Sequence, residues 1–177
     1  MFETFSKLAR ERQSCRNFST KKVEQEKLDK IMELSLLAPS ACNSQPWKLF
    51  CVTEDENVNA VRESLQVNRH NAFLDNVTSF IAVVDQEAVL RADVKAKFDR
   101  NRFVRYDVGE IIAYLTLSAK SLGLDTCIIG WMNEEKLASL LNLKENEHCR
   151  LVVAVGYSND PLREKIRKPK EDKIVKM

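Results

Sequence analysis

The run Arg12-Gln13-Ser14-Cys15-Arg16 places two guanidiniums and a hydroxyl at alternate positions. In an extended chain alternate side chains share one face. Arg12, Ser14 and Arg16 would then form a receptor for an anion, above all a phosphate, whose oxygens match the guanidinium fork. The same residues also read as a polar loop with two surface arginines. Near the other terminus, Lys165-Ile166-Arg167-Lys168-Pro169 sets Lys165 and Arg167 on one side of an extended arm. Positive charge gathers at these ends: residues 1–30 hold eight Lys/Arg against five Asp/Glu and residues 163–177 seven against three, although the whole chain is only +2. The body between is therefore acidic. Basic ends on an acidic body grip an anion if the fold brings them together; otherwise they are two solvated termini.

Two further segments carry groups suited to a ligand. Ala38-Pro39-Ser40-Ala41-Cys42-Asn43-Ser44-Gln45-Pro46-Trp47 is a run of small and amide residues. Small side chains let backbone amides approach a planar molecule, and Asn43 and Gln45 offer donors and acceptors. As a plain connector, the same amides would satisfy local backbone groups. In Cys127-Ile128-Ile129-Gly130-Trp131, Gly130 at a strand end permits close backbone approach. Trp131 and Tyr114 read equally well as pocket lining or as packing. His70 and His148 lack ligand-spaced neighbours, so no metal site is expected, and no Ser-His-Asp or Cys-His set is apparent.

Composition bounds the answer. With 177 residues, 44% hydrophobic and 31% charged, the chain should form one core-bearing domain, which excludes disorder and collagen-like structure. Gly109, Gly123, Gly130 and Gly156 are too widely spaced for a dinucleotide-binding GxGxxG or a P-loop. Cys15, Cys42, Cys51, Cys127 and Cys149 are odd in number and show no CxxC spacing. That argues against disulfides, a zinc ribbon or an iron–sulfur cluster and fits a reducing cytosol. The N-terminus lacks the apolar core of a signal peptide, and stretches such as Phe80–Val84 are too short to span a bilayer. The expected setting is cytoplasmic, away from membranes. No aromatic residues interleave the basic runs, so nucleic acid is not an expected partner.

Periodicity supplies the elements that must position these groups. Helical spacing of apolar residues marks 2–11 and 24–37, with Pro39 limiting the second, and 55–65 also reads as helix. The charged segment 86–102 is expected to be helical. Strands are expected at 47–53, 77–84, 126–130 and 151–156. The segment 108–122 is apolar on most faces and predicts a central buried helix, closed by Gly123. Asn133 is placed to cap a helix over 134–141. The tail after Asp160 has no apolar face and predicts an extended arm. The whole is a single α+β domain, residues 1–177, with 160–177 as the arm.

RQSCR, APSACNSQPWKL, DVGEIIAYLTLSAKSLGLDTCIIG, VVAVGY and KIRKP, in this order and over nearly the whole chain, resemble the FMN-dependent nitroreductase family. The resemblance implies a central, mostly antiparallel sheet flanked by helices, in a homodimer with FMN at the subunit interface. It implies that Arg12, Gln13, Ser14 and Arg16 hold the FMN phosphate and ribityl chain and face the ring's pyrimidine edge, and that Lys165 and Arg167 close on the phosphate. Pro39, Ser40 and Ala41, with Asn43 nearby, would contact the flavin from the other subunit. Ile129 and Gly130 would lie beside flavin N5, and Asn71 would reach the ring. The implied activity is hydride transfer from NADH or NADPH through N5 to a nitroaromatic, quinone or similar small oxidant, in a ping-pong cycle. A cation such as Arg16 would stabilise the anionic reduced ring. Other readings are a reductive dehalogenase, a flavoenzyme served by a protein donor, a flavin-holding or sensing module without turnover, and a non-flavin interaction protein. The sequence departs from the family at Ala113 and Tyr114, where two amides are usual.

Overall fold

A computed structural model describes residues 1–99 and 101–177; Arg100, inside the segment expected to be helical, lies outside the described residues. Strand β1 (Trp47–Val52), β2 (Ser79–Asp85), β3 (Asp125–Ile129) and β4 (His148–Gly156) form one sheet in the order β1-β2-β4-β3, with every neighbouring pair antiparallel. Helices α1 (Phe2–Glu11), α2 (Gln25–Ser35), α3 (Asp55–Leu65), α4 (Ala92–Lys95), α5 (Val104–Ser121) and α6 (Glu134–Leu140) surround it. The strand pleat explains the unbroken apolar run in β2. Phe80, Ala82 and Val84 face a core with Phe18, Leu65 and Leu137, while Ile81 and Val83 face a second core with Leu28, Ile111 and Leu115. Both faces of this strand are covered, so alternation has no reason to appear.

The ends of the elements follow local chemistry. Helix α5 begins at Val104, before the expected start, because Val104 buries alongside Val108. It ends where Gly123 takes φ +75°, a left-handed conformation that costs glycine little, and Leu124 N–H returns to Ala119 O at 3.0 Å. Asn133 caps α6, its Oδ1 accepting Lys136 N–H at 2.9 Å. Strand β4 starts at His148 because Asp85 carries it: one carboxylate oxygen accepts His148 N–H at 3.1 Å and the other Arg150 Nε–H at 2.5 Å.

One expectation fails and another holds only in part. Among the described residues of 86–102, only Ala92–Lys95 is α-helix. Gln86 N–H continues the β1–β2 pairing onto Pro46 O at 3.0 Å, and Val89 N–H is held by Ser44 Oγ at 2.7 Å, so tertiary contacts tie the backbone after β2 to residues 44–46. Helix α5, expected to be a central buried helix, does bury Val108, Ile111, Ile112 and Leu115 but leaves one face of this chain open. Tyr106, Gly109, Glu110, Ala113 and Tyr114, spaced by three and four, are all exposed. An apolar helix with an uncovered face has either solvent or another chain against it. After Asp160 the backbone is irregular apart from a single turn at Lys170–Asp172, as an arm without an apolar face should be.

Candidate functional site

The two ends of the chain meet at the free edge of β3. Ser14 makes a parallel bridge with Thr126, and Cys15 N–H donates to Thr126 O at 2.9 Å, so residues 12–16 lie as an extended strip beside the sheet. On leaving β4 the chain folds back along that strip. Ser19 N–H donates to Tyr157 O and Asn159 N–H to Asn17 O, both at 2.8 Å, and the Asp160 carboxylate accepts Arg16 N–H at 2.9 Å. Close packing beneath this junction requires Gly156: a Cβ there would meet Phe18 Cδ1 at 2.9 Å.

Arg12, Gln13, Ser14 and Arg16 from the strip, and Arg163, Lys165 and Arg167 from the arm, line one cavity of about 410 Å³. Its chemistry is that of an anion receptor. Among the described residues none of these five cations is in an ion pair, and the guanidiniums of Arg12 and Arg16 donate no hydrogen bond. The Arg16 guanidinium lies 6.0 Å from the Phe73 ring centroid. Lys165 is held below the ordinary lysine range, chiefly by burial and then by Arg12, Arg167 and Arg163. Gln13 is almost buried and its amide is committed to the arm: Nε2 donates to Pro161 O at 2.9 Å, and Oε1 accepts Arg163 N–H at 3.0 Å. Arg163 Nη2 also donates to Ser14 O, and Lys165 Nζ to Arg12 O.

Further along β3, Ile129 is buried and Gly130 is exposed, leaving backbone open at the strand end. Thr126 borders the anion strip, and Ile129–Gly130 follows three to four residues later, about 10–13 Å at the rise of a strand. Asn71, at φ 58°, donates from Nδ2 to Leu65 O at 2.8 Å and to Trp131 O at 3.1 Å, which ties its turn to the backbone beyond Gly130. Trp131 is exposed, its ring centroid 4.7 Å from that of His70. Tyr114 is exposed as well, on the open face of α5. The thiols of Cys15 and Cys127 are pushed up by burial, which suits packing rather than nucleophilic attack.

Pro39, Ser40, Ala41 and Asn43 stand apart; none of them lines the cavity. Their loop is locally organised and strained. Cys42, Asn43 and Gln45 all have left-handed φ, at 57°, 52° and 48°, and Ser40 Oγ accepts Gln45 N–H at 2.9 Å. Ala41 N–H donates to Asp107 Oδ1 at 3.1 Å, while Asp107 Oδ2 is buried with no partner among the described residues. Burial pushes the Asp107 carboxyl up, against the opposing effect of the Ala41 N–H.

Sequence reasoning missed two positioning residues. Arg163 is one of the seven cations of 163–177 but lies outside the KIRKP block, and only the folded chain sets it against Gln13 and Ser14. Asp107 opens the Asp-x-Gly of the central helix, and a carboxylate on an apolar helix was the available signal.

An antiparallel α+β sheet with a cationic cradle at one edge and an open glycine backbone further along that edge strand has counterparts among known proteins. Residues 9–157 match the Nitroreductase family. A protein of Archaeoglobus fulgidus, provisionally named an NADH dehydrogenase/NAD(P)H nitroreductase, is 30% identical over 84% of this chain and 82% of its own. The iodotyrosine deiodinase of Thermotoga neapolitana is 23% identical over 96% of this chain and 95% of its own. A crystal structure of a nitroreductase family protein from Clostridium difficile superposes with a TM-score of 0.81 at 25% identity, covering 95% of each chain. The chain belongs to the nitroreductase family, a family of flavin-dependent oxidoreductases.

Proposed function

We propose that this protein transfers hydride from NAD(P)H to a nitroaromatic, quinone or similar small oxidant by a ping-pong cycle, with FMN seated along the edge of β3. Family membership makes it an oxidoreductase with FMN as cofactor and NAD(P)H as donor; the oxidant, the cycle and the residue roles are the proposal. One observation carries it: cations from both ends of the chain converge on one cavity without acidic partners of their own. This fits a phosphate dianion, and the exposed backbone at Gly130 on the same edge fits the approach of a flat ring.

When bound, FMN supplies the hydride relay at N5. The chain's residues orient and polarise it. Arg12, Arg16, Lys165 and Arg167 hold the phosphate through charge-assisted hydrogen bonds, while Gln13 and Ser14 keep the strip in place. Ile129 and Gly130 present backbone to the ring, and Asn71 fixes that backbone through Trp131 O. No protein nucleophile is required.

A second copy of the chain completes the proposed site, bringing Pro39, Ser40, Ala41 and Asn43 to the flavin. Support comes from the open face of α5 and from exposed Phe2, Phe5, Leu36 and Leu37, large apolar side chains that a monomer would leave wet. Among the described residues no helix is long and apolar enough to cross a membrane. The deiodinase relative supports a second reading, reductive removal of halide from an aromatic ring.

The test is an anaerobic reaction of the purified holoprotein with NADH and NADPH, followed by a nitroaromatic, a quinone or a haloaromatic. Bleaching of the flavin by a nucleotide and its return with the oxidant are expected. No bleaching by either nucleotide refutes the proposal, and halide release without nitro or quinone reduction selects the second reading. Sedimentation of the holoprotein as a monomer refutes the two-chain site.

A further inference from the structure

We propose that the segment after Asp160 is a strap whose closure is coupled to phosphate in the cavity: a bound phosphate dianion fastens the arm, and its loss releases it. The coupling rests on the reading of the cavity as the FMN phosphate site only for the source of that phosphate.

The arm is held by polar contacts alone. Gln13 clasps Pro161 O and Arg163 N–H, Arg163 reaches Ser14 O, and Lys165 reaches Arg12 O. No apolar anchor assists them: Leu162, Ile166, Ile174 and Val175 are all exposed, so the hydrophobic effect contributes little to docking. Against closure stands the charge. The arm brings Arg163, Lys165 and Arg167 to a strip that already carries Arg12 and Arg16. The carboxylates of Asp160, which accepts Arg16 N–H, and of Glu164, which lines the cavity without an ion pair, offset part of this charge and leave the cluster cationic; Asp125 is matched by Lys120 at 3.1 Å. The Lys165 ammonium is depressed first by burial, with the neighbouring cations Arg12, Arg167 and Arg163 adding to it.

Like charges gathered in a part-buried cavity oppose one another, and a dianion among them reverses the sign of that interaction. Because binding linkage is reciprocal, closing the arm raises phosphate affinity by the factor with which phosphate favours closure. Gln13 is then a positioning residue. Its neutral amide latches strip to arm without adding to the repulsion.

Trypsin reads the strap directly, since Arg163, Lys165 and Arg167 are its own cleavage points. The full chain, stripped of flavin, is digested alone and with FMN, riboflavin or inorganic phosphate at matched ionic strength, while flavin fluorescence reports binding. FMN and inorganic phosphate are expected to slow cleavage roughly tenfold, within the range usual for coupled sites, and riboflavin to leave it fast. At saturating FMN, Gln13→Ala is expected to be cut faster than the wild type, which simple shielding by the ligand would not produce. FMN that binds without protecting the arm overturns the strap and leaves the cofactor reading intact, as does equal protection by riboflavin. Protection by inorganic phosphate in a chain that does not bind FMN supports the strap and removes the cofactor reading. Failure of both ligands to protect removes the strap.

Discussion

Replacing Arg12 with alanine deletes a guanidinium that donates to no protein acceptor among the described residues and keeps the carbonyl that holds Lys165. The loss should therefore fall on the ligand and spare the fold. A hydrogen bond to a charged group contributes about 1.5–3 kcal/mol, about 10- to 150-fold in Kd. Two features place the effect in the lower part of that range: Arg12 is only part-buried, and Arg16, Arg163, Lys165 and Arg167 remain to share the charge. A loss of about 10- to 40-fold in FMN affinity is expected. Fluorescence titration with FMN measures it, with riboflavin as the phosphate-free control and two salt concentrations to expose the electrostatic share. Riboflavin affinity should hold, and the thermal midpoint of the flavin-free variant should not fall, since a like charge has been removed. An FMN affinity within twofold of wild type, or an equal loss for riboflavin, would refute the phosphate assignment.

Gly156→Ala drives a Cβ to 2.9 Å from the buried Phe18 ring; overpacking of this kind costs about 1–3 kcal/mol, read as a lower urea midpoint and partly restored by Phe18→Leu. An unchanged midpoint would disprove the close contact. The raised Asp107 carboxyl contributes stability that is complete below the ordinary aspartate value of about 3.9 and is lost as pH rises through the higher folded value. Asp107→Asn should lack that fall in urea midpoint, and parallel profiles for the two proteins would contradict it. Glu24 is held down at about 2, first by the Tyr157 hydroxyl that donates to it at 2.6 Å. Its contribution is present above the ordinary glutamate value of about 4.3 and disappears as pH falls through the lowered one. Tyr157→Phe should move the Glu24 carboxyl back towards ordinary glutamate in an NMR titration; no movement would refute the attribution. Asn133→Ala removes the α6 cap and should cost about 1 kcal/mol; a loss below measurement error would show that the cap is idle.

Much of the fold was legible because its signals are local. Helix α3 lies where periodicity placed it, and β2 was visible as a run of β-branched and apolar residues. Gly123 and Asn133 act as the caps their chemistry suggested. Errors arose where a distant partner competed for the backbone or left a face open. Segment 86–102 carries helix-forming residues, yet its start is drawn into the pairing of β2 with β1, through Pro46, and tied to Ser44. The exposed face of α5 reads as core because Tyr106, Ala113 and Tyr114 look the same in one dimension whether or not the fold covers them. The candidate site was half legible. Arginines alternating with a serine indicate an anion, whereas Gln13 reads as a ligand contact and in the fold spends its amide on the arm.

What the sequence alone determined is the inventory: basic residues at both termini, a strip with the right alternation, a glycine after a strand, and a β2 too apolar to face water. Those properties are carried by each residue and its near neighbours. The tertiary structure decided that residues some 150 positions apart share one cavity, as the Gln13–Arg163 contact shows. Pairing of Ser14 with Thr126 and the turn of the chain after Gly156 accomplish that meeting. Coulomb energy depends on distance in space, and chain order leaves that distance open until the sheet sets it.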